Sequence, residues 1–454
     1  MPTSAEVLSY FKHRRAALLG GAVAALLAIG AVLALLTVGQ RPGDVAHPNI
    51  AFIPAPVNPP PPLPHSDWPV YGLFADRTAY LPSTLAPPFR RLWAFDGGSL
   101  LEFAPVLAQG KLYLVNNEGL GEAISAATGK VLWRRRIGSL SASSFGYWDG
   151  RLYIIPLSGS RDRTLYRSVH VTSLEAATGR VLWSRPVSSG AESGPMVVGG
   201  RLYFGAEDGT AHALDARSGA PLWSYHAGGK IKSALAYAAG RLYFGDYSGE
   251  LTAVRASDGR RVWSAHTQGL GFLQSGTFYA TPAVAFGRVY VGNTDDKVYS
   301  FSAATGQLAW THSTGGYVYG SAAVAAVPGT PPTVYVGSYD GHFYALDARS
   351  GRPRWIFNAG ARISGAGSVV GHVVYFATLA NKVFGVDVRS GRQVFELNDG
   401  SFNPVISDGR RLYVTGYAMQ YAYVPVASLP PRPARAAPRP ARAAPSPRAR
   451  RRRP

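Results

Sequence analysis

The chain has no cysteine among its 454 residues. Disulfides, thiolate zinc sites, haem attached through paired thiols and lipoprotein anchoring through cysteine are therefore all excluded. Charged residues are also scarce, at 16%, whereas 52 glycines, 34 prolines and 25 tyrosines are present. This balance is typical of many short strands joined by tight turns, with helices as the minor element.

The formal net charge of +20 resembles that of a nucleic-acid-binding protein, but much of it belongs to the C-terminal segment 428–454. Nine arginines lie between Arg432 and Arg453, and without them the net charge falls to about +11. This segment is almost entirely Pro, Ala and Arg, so it is predicted to be disordered. It is either a polycation for anionic envelope polymers, lipid headgroups or an acidic partner, or a solvated tail. It lacks aromatic residues for base stacking, and no nucleic-acid partner is predicted.

A long uncharged stretch lies near the N-terminus, from Ala16 to Val38. Its 23 residues can span roughly 30 Å of hydrocarbon as a helix. Basic residues precede it, so the positive-inside rule places residues 1–15 in the cytoplasm and the rest of the chain outside. We predict an uncleaved signal-anchor helix at 16–38 in a bacterial plasma membrane; a cleaved signal peptide is the alternative. The proline-rich residues 39–66 are predicted to form a semi-rigid spacer.

Between residues 67 and 427 a sequence motif recurs that ends in an aromatic residue after a Gly-containing turn, as in Ala126-Ala127-Thr128-Gly129 leading to Trp133. Successive copies are spaced by 40, 50, 40, 40, 47, 45 and 40 residues. The aromatic residues that end the copies, predicted to dock each blade onto its neighbour, are Trp93, Trp133, Trp183, Trp223, Trp263, Trp310, Trp355 and Phe395.

A second motif precedes each copy and predicts a β-hairpin, for example Arg201–Gly205 followed by Asp208-Gly209. About 40 residues per unit with four short strands is the period of a β-propeller blade. The strand at Trp93 is surplus and the final unit lacks its last strand, so pairing the two closes the ring. The sequence thus predicts an all-β, eight-bladed propeller, with seven blades as the rival count.

The repeats resemble those of the pyrroloquinoline-quinone (PQQ)-type propeller family, whose motif is Ala-x-Asp-x-x-Thr-Gly-x-x-x-Trp. Leu214–Gly219 and Leu346–Gly351 are near-complete copies, and the resemblance covers about 67–427. It implies the fold, but two functions. Quinoprotein dehydrogenases hold PQQ and calcium on the propeller axis, use an aspartate base and commonly carry adjacent cysteines; this chain has no cysteine and no aspartate that can be matched. Outer-membrane-assembly scaffold propellers instead bind proteins through their loops.

Ligands of propellers usually bind at the axial funnel, where the innermost strands begin. Counting nine residues back from the start of each hairpin identifies equivalent positions that vary in chemistry. Those predicted to line the funnel are Glu102, Glu192, Lys232, Tyr279 and Tyr319. Glu102, Glu192 and Lys232 are alternatively only solvated side chains.

Aspartates in the hairpin turns, such as Asp208, are assigned to turn chemistry rather than to calcium, and no metal site is predicted. One of three insertions in the repeat, Gln268 to Phe278, carries Phe272 and Phe278 and is predicted to be the partner-contact loop.

Together these features favour a non-catalytic binding or scaffolding module, anchored in the membrane, for a protein or cell-envelope polymer. No catalytic residue and no cofactor are assigned. The alternative is a PQQ-dependent oxidoreductase, and only this alternative requires PQQ and calcium.

Overall fold

The computed structural model describes residues 42–54, 67–158, 169–269, 275–400 and 402–426. Within these ranges the chain forms 33 strands in eight sheets, with no α-helix. Each sheet is one blade, and the blades follow the order of the chain. The prediction of an all-β, eight-bladed propeller is therefore confirmed, and the seven-bladed alternative is wrong.

Two strands precede the first blade: β1 (Tyr80–Leu81) and β2 (Phe89–Asp96). Blades 1 and 2 comprise β3 (Val106–Ala108), β4 (Lys111–Val115), β5 (Leu120–Ser125) and β6 (Val131–Arg136), then β7 (Gly146–Trp148), β8 (Arg151–Ile154), β9 (His170–Glu175) and β10 (Val181–Pro186). Blades 3 and 4 comprise β11 (Met196–Val198), β12 (Arg201–Gly205), β13 (Thr210–Asp215) and β14 (Pro221–His226), then β15 (Ala236–Ala238), β16 (Arg241–Gly245), β17 (Glu250–Arg255) and β18 (Arg261–His266).

Blades 5 and 6 comprise β19 (Ala283–Ala285), β20 (Arg288–Gly292), β21 (Lys297–Ser302) and β22 (Leu308–Ser313), then β23 (Ala323–Ala325), β24 (Thr333–Gly337), β25 (His342–Asp347) and β26 (Pro353–Asn358). Blade 7 comprises β27 (Ser368–Val370), β28 (Val373–Thr378), β29 (Lys382–Asp387) and β30 (Gln393–Leu397). Blade 8 comprises β31 (Ile406–Ser407), β32 (Leu412–Thr415), β33 (Met419–Pro425) and β2.

Within a blade the strands run antiparallel from the axis outward, so each blade has the same two ends. The lower face is the end that carries the Gly turns of the repeated motif, such as the turn at Gly219. The upper face is the end where the chain passes from one blade to the next. The two middle strands are packed between blades and are almost wholly buried, as in β12 and β20. Outermost strands such as β14 alternate between exposed and half-buried residues, as expected at a sheet edge.

The ring closes by pairing a strand from the start of the propeller with one from its end. β2 pairs antiparallel with β33, from Phe89 opposite Pro425 to Asp96 opposite Met419. The predicted closure through the strand of Trp93 is therefore confirmed. It removes two sheet edges whose backbone groups would otherwise lack partners within the protein.

Seven tryptophans lie on outermost strands and contact the next blade. Each indole N–H donates to a backbone carbonyl of that blade at 3.0–3.1 Å; the pairs are Trp93 with Ala126, Trp133 with Ala176, Trp183 with Ala216, Trp223 with Ala256, Trp263 with Ala303, Trp310 with Ala348, and Trp355 with Val388. At the corresponding place in blade 7, Phe395 packs edge-on against Tyr423 of blade 8 at 6.0 Å. The aromatic residues of the repeated motif thus link consecutive blades.

Two physical constraints require glycine in the turn of the repeated motif. Gly219 adopts φ +72°, which a β-carbon disfavours. A β-carbon there would also lie 2.7 Å from the Trp183 ring of the preceding blade. Backbone conformation and contact between blades therefore select the same residue.

Residues 67–81 precede the first blade and wind around the lower end of the axis. Their backbone carbonyls accept hydrogen bonds from the second residue of successive innermost strands, including Tyr147, Tyr237, Val284, Val324 and Val369. The distances are 2.7–2.9 Å, and a bridge between Trp68 and Leu107 starts the series. This lead-in segment satisfies inner sheet edges and closes the channel from below.

Part of the predicted spacer lies on the propeller. Residues 42–54 run along the outer edge of blade 5, where Ala46 bridges to Trp310 and the Ile53 N–H donates to the Phe286 carbonyl. The predicted semi-rigid spacer includes these residues, which pack along the propeller because the open edge of β22 offers backbone partners that compete with the extended, solvated state. We call residues 42–54 the strap.

The other predicted terminal features lie outside the described residues: the cytoplasmic segment 1–15, the transmembrane helix 16–38 and the basic tail 428–454. In the part of the chain that the structure describes, no helix is long and apolar enough to span a bilayer.

Candidate functional site

A cavity of about 330 Å³ opens at the upper end of the axis. It lies above the lead-in segment, and seven of the eight blades as well as the lead-in contribute to its wall. The side chains that define its chemistry are Tyr71, Glu102, Phe103, Glu192, Lys232, Tyr247, Tyr279, Thr281, Tyr319, Ser321, Tyr339, Ser364, Phe402 and Asn403. Acidic, aromatic and hydroxyl groups therefore dominate the surface that a ligand would meet.

All five residues predicted for the funnel line this one cavity: Glu102, Glu192, Lys232, Tyr279 and Tyr319. Each lies four residues before the innermost strand of its blade, on the connection from the preceding blade. Because the blades are related by rotation about the axis, equivalent positions converge on the axis. The repeat thus places side chains together that are up to 217 residues apart in the sequence.

The centre of the charge in the cavity is Lys232. Its Nζ lies 2.5 Å from Glu192 Oε1 and 3.1 Å from Glu207 Oε1. The Tyr279 hydroxyl donates to the other Glu192 oxygen at 3.1 Å. Burial disfavours the ammonium, but the hydrogen bond and charge of Glu192 outweigh this effect, so the pKa of Lys232 is raised. Glu207 was not predicted, because it follows a hairpin strand and does not occupy the repeated funnel position.

Glu102 lies on the same wall without such a partner. Its nearest hydrogen-bond donor is the Asn117 amide at 3.4 Å. Among the described residues, no lysine or arginine lies within ion-pair distance of its carboxylate. Burial and the charge of Glu192 raise the pKa of Glu102. This carboxylate is therefore poised to gain from an added cation.

Aromatic rings cover the wall on the side of blades 4 to 6. The Tyr319 ring contacts Tyr279 edge-on at 5.4 Å and Tyr339 at 4.8 Å, measured between ring centroids. Lys232 Nζ lies 5.5 Å from the centre of the Tyr247 ring, within cation–π range. Burial is the main cause that raises the pKa of Tyr247 to about 12. The Tyr247 phenol is thus a neutral hydrogen-bonding group at physiological pH.

The floor of the cavity comes from the lead-in segment. Tyr71 meets Phe103 edge-on at 6.0 Å, and its hydroxyl donates to Ser321 Oγ at 3.3 Å. Beneath it the Arg77 guanidinium is buried, with Nε donating to the Leu235 carbonyl at 2.8 Å. Burial lowers the pKa of Arg77 to about 10. The floor is therefore fixed from below by hydrogen bonds.

Three tyrosines that line the cavity were missed by sequence reasoning. Tyr247 and Tyr339 occupy the hairpin turn of their blades, immediately before the position that Asp208 holds in blade 3, and the equivalence of these two turns was the available signal. Tyr71 belongs to the lead-in segment, which has no counterpart in the repeat. No periodic pattern could have placed it on the axis.

In the predicted partner-contact loop, the described residue Phe278 lies in the core rather than on the surface. Phe278 is fully buried and packs edge-on against Tyr299 at 6.3 Å. It also fills the space beside Gly245, where a β-carbon would lie 2.3 Å from it. Its prediction as a partner-contact residue is wrong, because burial of the ring in the core competes with display on the surface. Phe272 lies outside the described residues.

The turn aspartates make the local hydrogen bonds that such turns require. Asp208 Oδ1 accepts from the Thr210 N–H at 3.0 Å, and Asp340 Oδ1 accepts from the His342 N–H at 2.8 Å. Among the described residues, no group of three or more His, Asp or Glu side chains is arranged to hold a metal ion.

The family comparison adds to this geometry. A family model described as outer membrane protein assembly factor BamB matches residues 118–270, 167–331 and 228–424 in overlapping registers. The chain belongs to this family. Its repeats are thus BamB-like as well as PQQ-like. A search of curated protein sequences finds no match.

Solved structures share the fold at low sequence identity. BamB from Moraxella catarrhalis has a TM-score of 0.61 at 18% identity, covering 74% of this chain and all of that one. Quinohemoprotein alcohol dehydrogenase from Comamonas testosteroni has a TM-score of 0.65 at 14% identity, covering 79% of this chain and 80% of that one. A europium-containing methanol dehydrogenase has a TM-score of 0.65 at 13% identity, covering 80% and 98%. At these identities the likeness shows the fold alone.

The residues of the cavity do not fit PQQ and calcium. Glu192 and Glu207 pair with the Lys232 ammonium, and Glu102 adds a third carboxylate to the cavity wall. PQQ carries several carboxylates itself, so like charges would oppose its entry. The described lining residues also offer no cluster of acidic ligands with the geometry of a calcium site.

Proposed function

We propose that this chain is a non-catalytic binding propeller at the extracytoplasmic surface of a bacterial plasma membrane, anchored by residues 16–38, and that it recognises a protein partner through its axial cavity. The observation that carries the proposal is an excess of carboxylates in an aromatic-lined cavity. Family membership supports a protein partner, since the family description names an assembly factor. The sequence supports the anchor and its orientation.

The charge balance favours a cationic ligand. Lys232 compensates Glu192 and Glu207, whereas Glu102 has only an amide partner. A cation beside Glu102 would relieve its repulsion with Glu192 and add a charge-assisted hydrogen bond. Recognition by charge is strong here because the site is partly shielded from water.

The rings define the shape of the cation. Tyr71 and Phe103 meet beside Glu102, and the cluster around Tyr319 covers another part of the wall. Aromatic faces stabilise an ammonium or guanidinium and pack against its aliphatic stem. The cavity therefore suits a lysine or arginine side chain that a partner inserts.

Calorimetric titration of the full chain in detergent tests this assignment. The probes are N-acetyl-lysine methylamide and N-acetyl-arginine methylamide, with N-acetyl-norleucine methylamide as the neutral control. We expect binding of a cationic probe and about tenfold weaker binding to Glu102→Gln, equivalent to about 1.4 kcal/mol. Glu118→Gln, an exposed change in the same blade, should leave the affinity unchanged.

Three results would contradict the proposal. Equal affinity for the norleucine probe would show that charge is not recognised. Binding of soluble peptidoglycan fragments but of neither amide would instead indicate a cell-envelope polymer as the ligand. Tight binding of PQQ with calcium, accompanied by dye-linked alcohol oxidation, would favour the oxidoreductase alternative.

A further inference from the structure

The strap is held on blade 5 by specific hydrogen bonds. The His47 N–H donates to the Ala309 carbonyl at 2.7 Å, and the Thr311 N–H donates to the Val45 carbonyl at 3.0 Å. Ser313 Oγ donates to Asp44 at 2.7 Å. The strap therefore runs antiparallel to β22 and extends the sheet outward by one extended segment.

Two buried cations of blade 5 hold the ends of the strap. Lys297, 2% exposed, donates to the carbonyls of Pro42 and Gly43. Arg288, 1% exposed, donates to the carbonyls of Ile50 and Ala51, at 2.7 and 3.2 Å. A buried cation requires such acceptors, so the strap and these two side chains stabilise one another.

The direction of the strap fixes where the chain reaches the propeller. Pro42 and Asp44 lie at the upper end of β22, beside Lys297 and Ser313, and the strap then descends to Ile53 near the lower turn at Phe286. The upper end is also the end at which the axial cavity opens. The N-terminal segment thus joins the propeller at the edge of the cavity-bearing face.

Little chain is available between this point and the predicted anchor. From Val38 to Pro42 there are four residue steps, which span at most about 14 Å. β22 alone has six residues and is roughly 20 Å long. If the lower face lay on the membrane, Pro42 would be farther from the bilayer than this connection can reach.

We propose that the strap holds the cavity-bearing upper face toward the membrane surface, so that the ligand of the cavity comes from a membrane-embedded partner. This inference rests on the anchor of the proposed function. Acidic turns such as those of Asp246 and Asp340 lie on the same face. They disfavour direct adsorption to anionic headgroups and suit a basic extramembrane segment of the partner.

The absence of cysteine makes a direct test practical, since a single introduced thiol is the sole labelling site. The full chain is reconstituted into vesicles that carry a headgroup-linked quencher, with a fluorophore at one position. Ser275→Cys reports on the upper face near blade 5, Ser257→Cys on the lower face of blade 4, and Glu118→Cys on the upper face of blade 1, across the ring. All three residues are exposed.

We expect labels at positions 275 and 118 to be quenched at least threefold more than the label at 257. Strong quenching at 257 alone would overturn the proposal. Quenching at 275 and 257 but not at 118 would mean that the propeller stands on its edge, which also overturns it. A chain that does not float with the vesicles would contradict the anchor itself, which separates failure of the proposed function from failure of the orientation.

A strap variant completes the test. Lys297→Met removes the ammonium that holds Pro42 and Gly43 and should reduce the difference in quenching between positions 275 and 257. Lys230→Met, an exposed change on the same face, should preserve it. An unchanged difference in a folded Lys297→Met protein would show that the strap does not set the orientation.

Discussion

Lys232 and Glu192 hold equivalent positions in consecutive blades, and their side chains form a 2.5 Å ion pair across the junction between blades 3 and 4. They are 40 residues apart, which is one period of the repeat. The rotation that relates the blades thus turns a periodic position into a lateral contact. The pair lies in the cavity wall, with side-chain exposures of 18% and 12%, so it contributes to both stability and recognition.

Replacing Lys232 with methionine should destabilise the propeller by about 1–3 kcal/mol at pH 7, because Glu192 and Glu207 lose their counter-charge in a partly buried site. The folded-state pKa of Lys232 is raised, so its contribution is complete below the ordinary lysine pKa and is lost as the pH rises through the folded value. The difference between wild type and variant should therefore shrink above about pH 10.5. Urea unfolding at pH 7, 9 and 11 measures this, with Lys230→Met as control; a difference independent of pH would contradict it.

Two glycine substitutions should separate the free-energy cost of a steric contact between blades from the cost of backbone strain. Gly219→Ala places a methyl group 2.7 Å from the Trp183 ring at φ +72°, whereas Gly240→Ala meets open space at φ +78°. Strain alone costs about 1–2 kcal/mol, and displacement of the ring should add about 1–3 kcal/mol at Gly219. Thermal unfolding and urea titration of both variants compare the costs. Equal losses would show that the tryptophan contact tolerates a β-carbon.

Asp295 should make stability depend on pH in the acidic range. Burial raises its pKa to about 6, against the hydrogen bond from Tyr299. A carboxyl whose folded pKa is raised stabilises the fold below its unfolded pKa of about 4, and this contribution is lost as the pH rises through 6. Asp295→Asn should therefore gain up to about 3 kcal/mol over wild type at pH 7 relative to pH 4.

Asp208 provides a control of opposite sign. Burial alone would raise its pKa, but hydrogen bonds from Ser188 and Thr210 outweigh this effect and lower the pKa. Asp208→Asn should thus lose stability at neutral pH relative to pH 3. If urea midpoints of both aspartate variants shifted in the same direction with pH, the assignment for Asp295 would be wrong.

Phe278 should behave as a core residue rather than a contact residue. Phe278→Ala should cost about 3–5 kcal/mol, since the ring is fully buried beside Gly245 and Tyr299. Tyr317→Ala, which removes a ring with 43% of its surface exposed on the same face, should change stability by about 0.5 kcal/mol or less. Denaturant midpoints measure both, and a small loss at Phe278 would revive the loop interpretation.

The insertion around Phe278 shows why sequence reasoning failed there. Extra length marks a departure from the repeat, but it does not show which side chains turn inward. Phe278 fills the space beside Gly245 of the preceding blade, and the demand for that ring arises from a contact between blades. The funnel positions were predictable because all of them follow one register, four residues before an innermost strand.

By itself the sequence determined what repeats: the period, the turn glycines, the aromatic that follows them, the pairing of β2 with β33, and the five positions in the cavity wall. Only the tertiary structure decided the paths of the lead-in segment and the strap, the burial of Phe278, and the joining of Glu207 to Lys232. The physical reason is that an open sheet edge or a gap between blades accepts any segment that supplies matching hydrogen bonds or volume. For the lead-in segment and the strap, such matches connect the blades to parts of the chain that share no period with them.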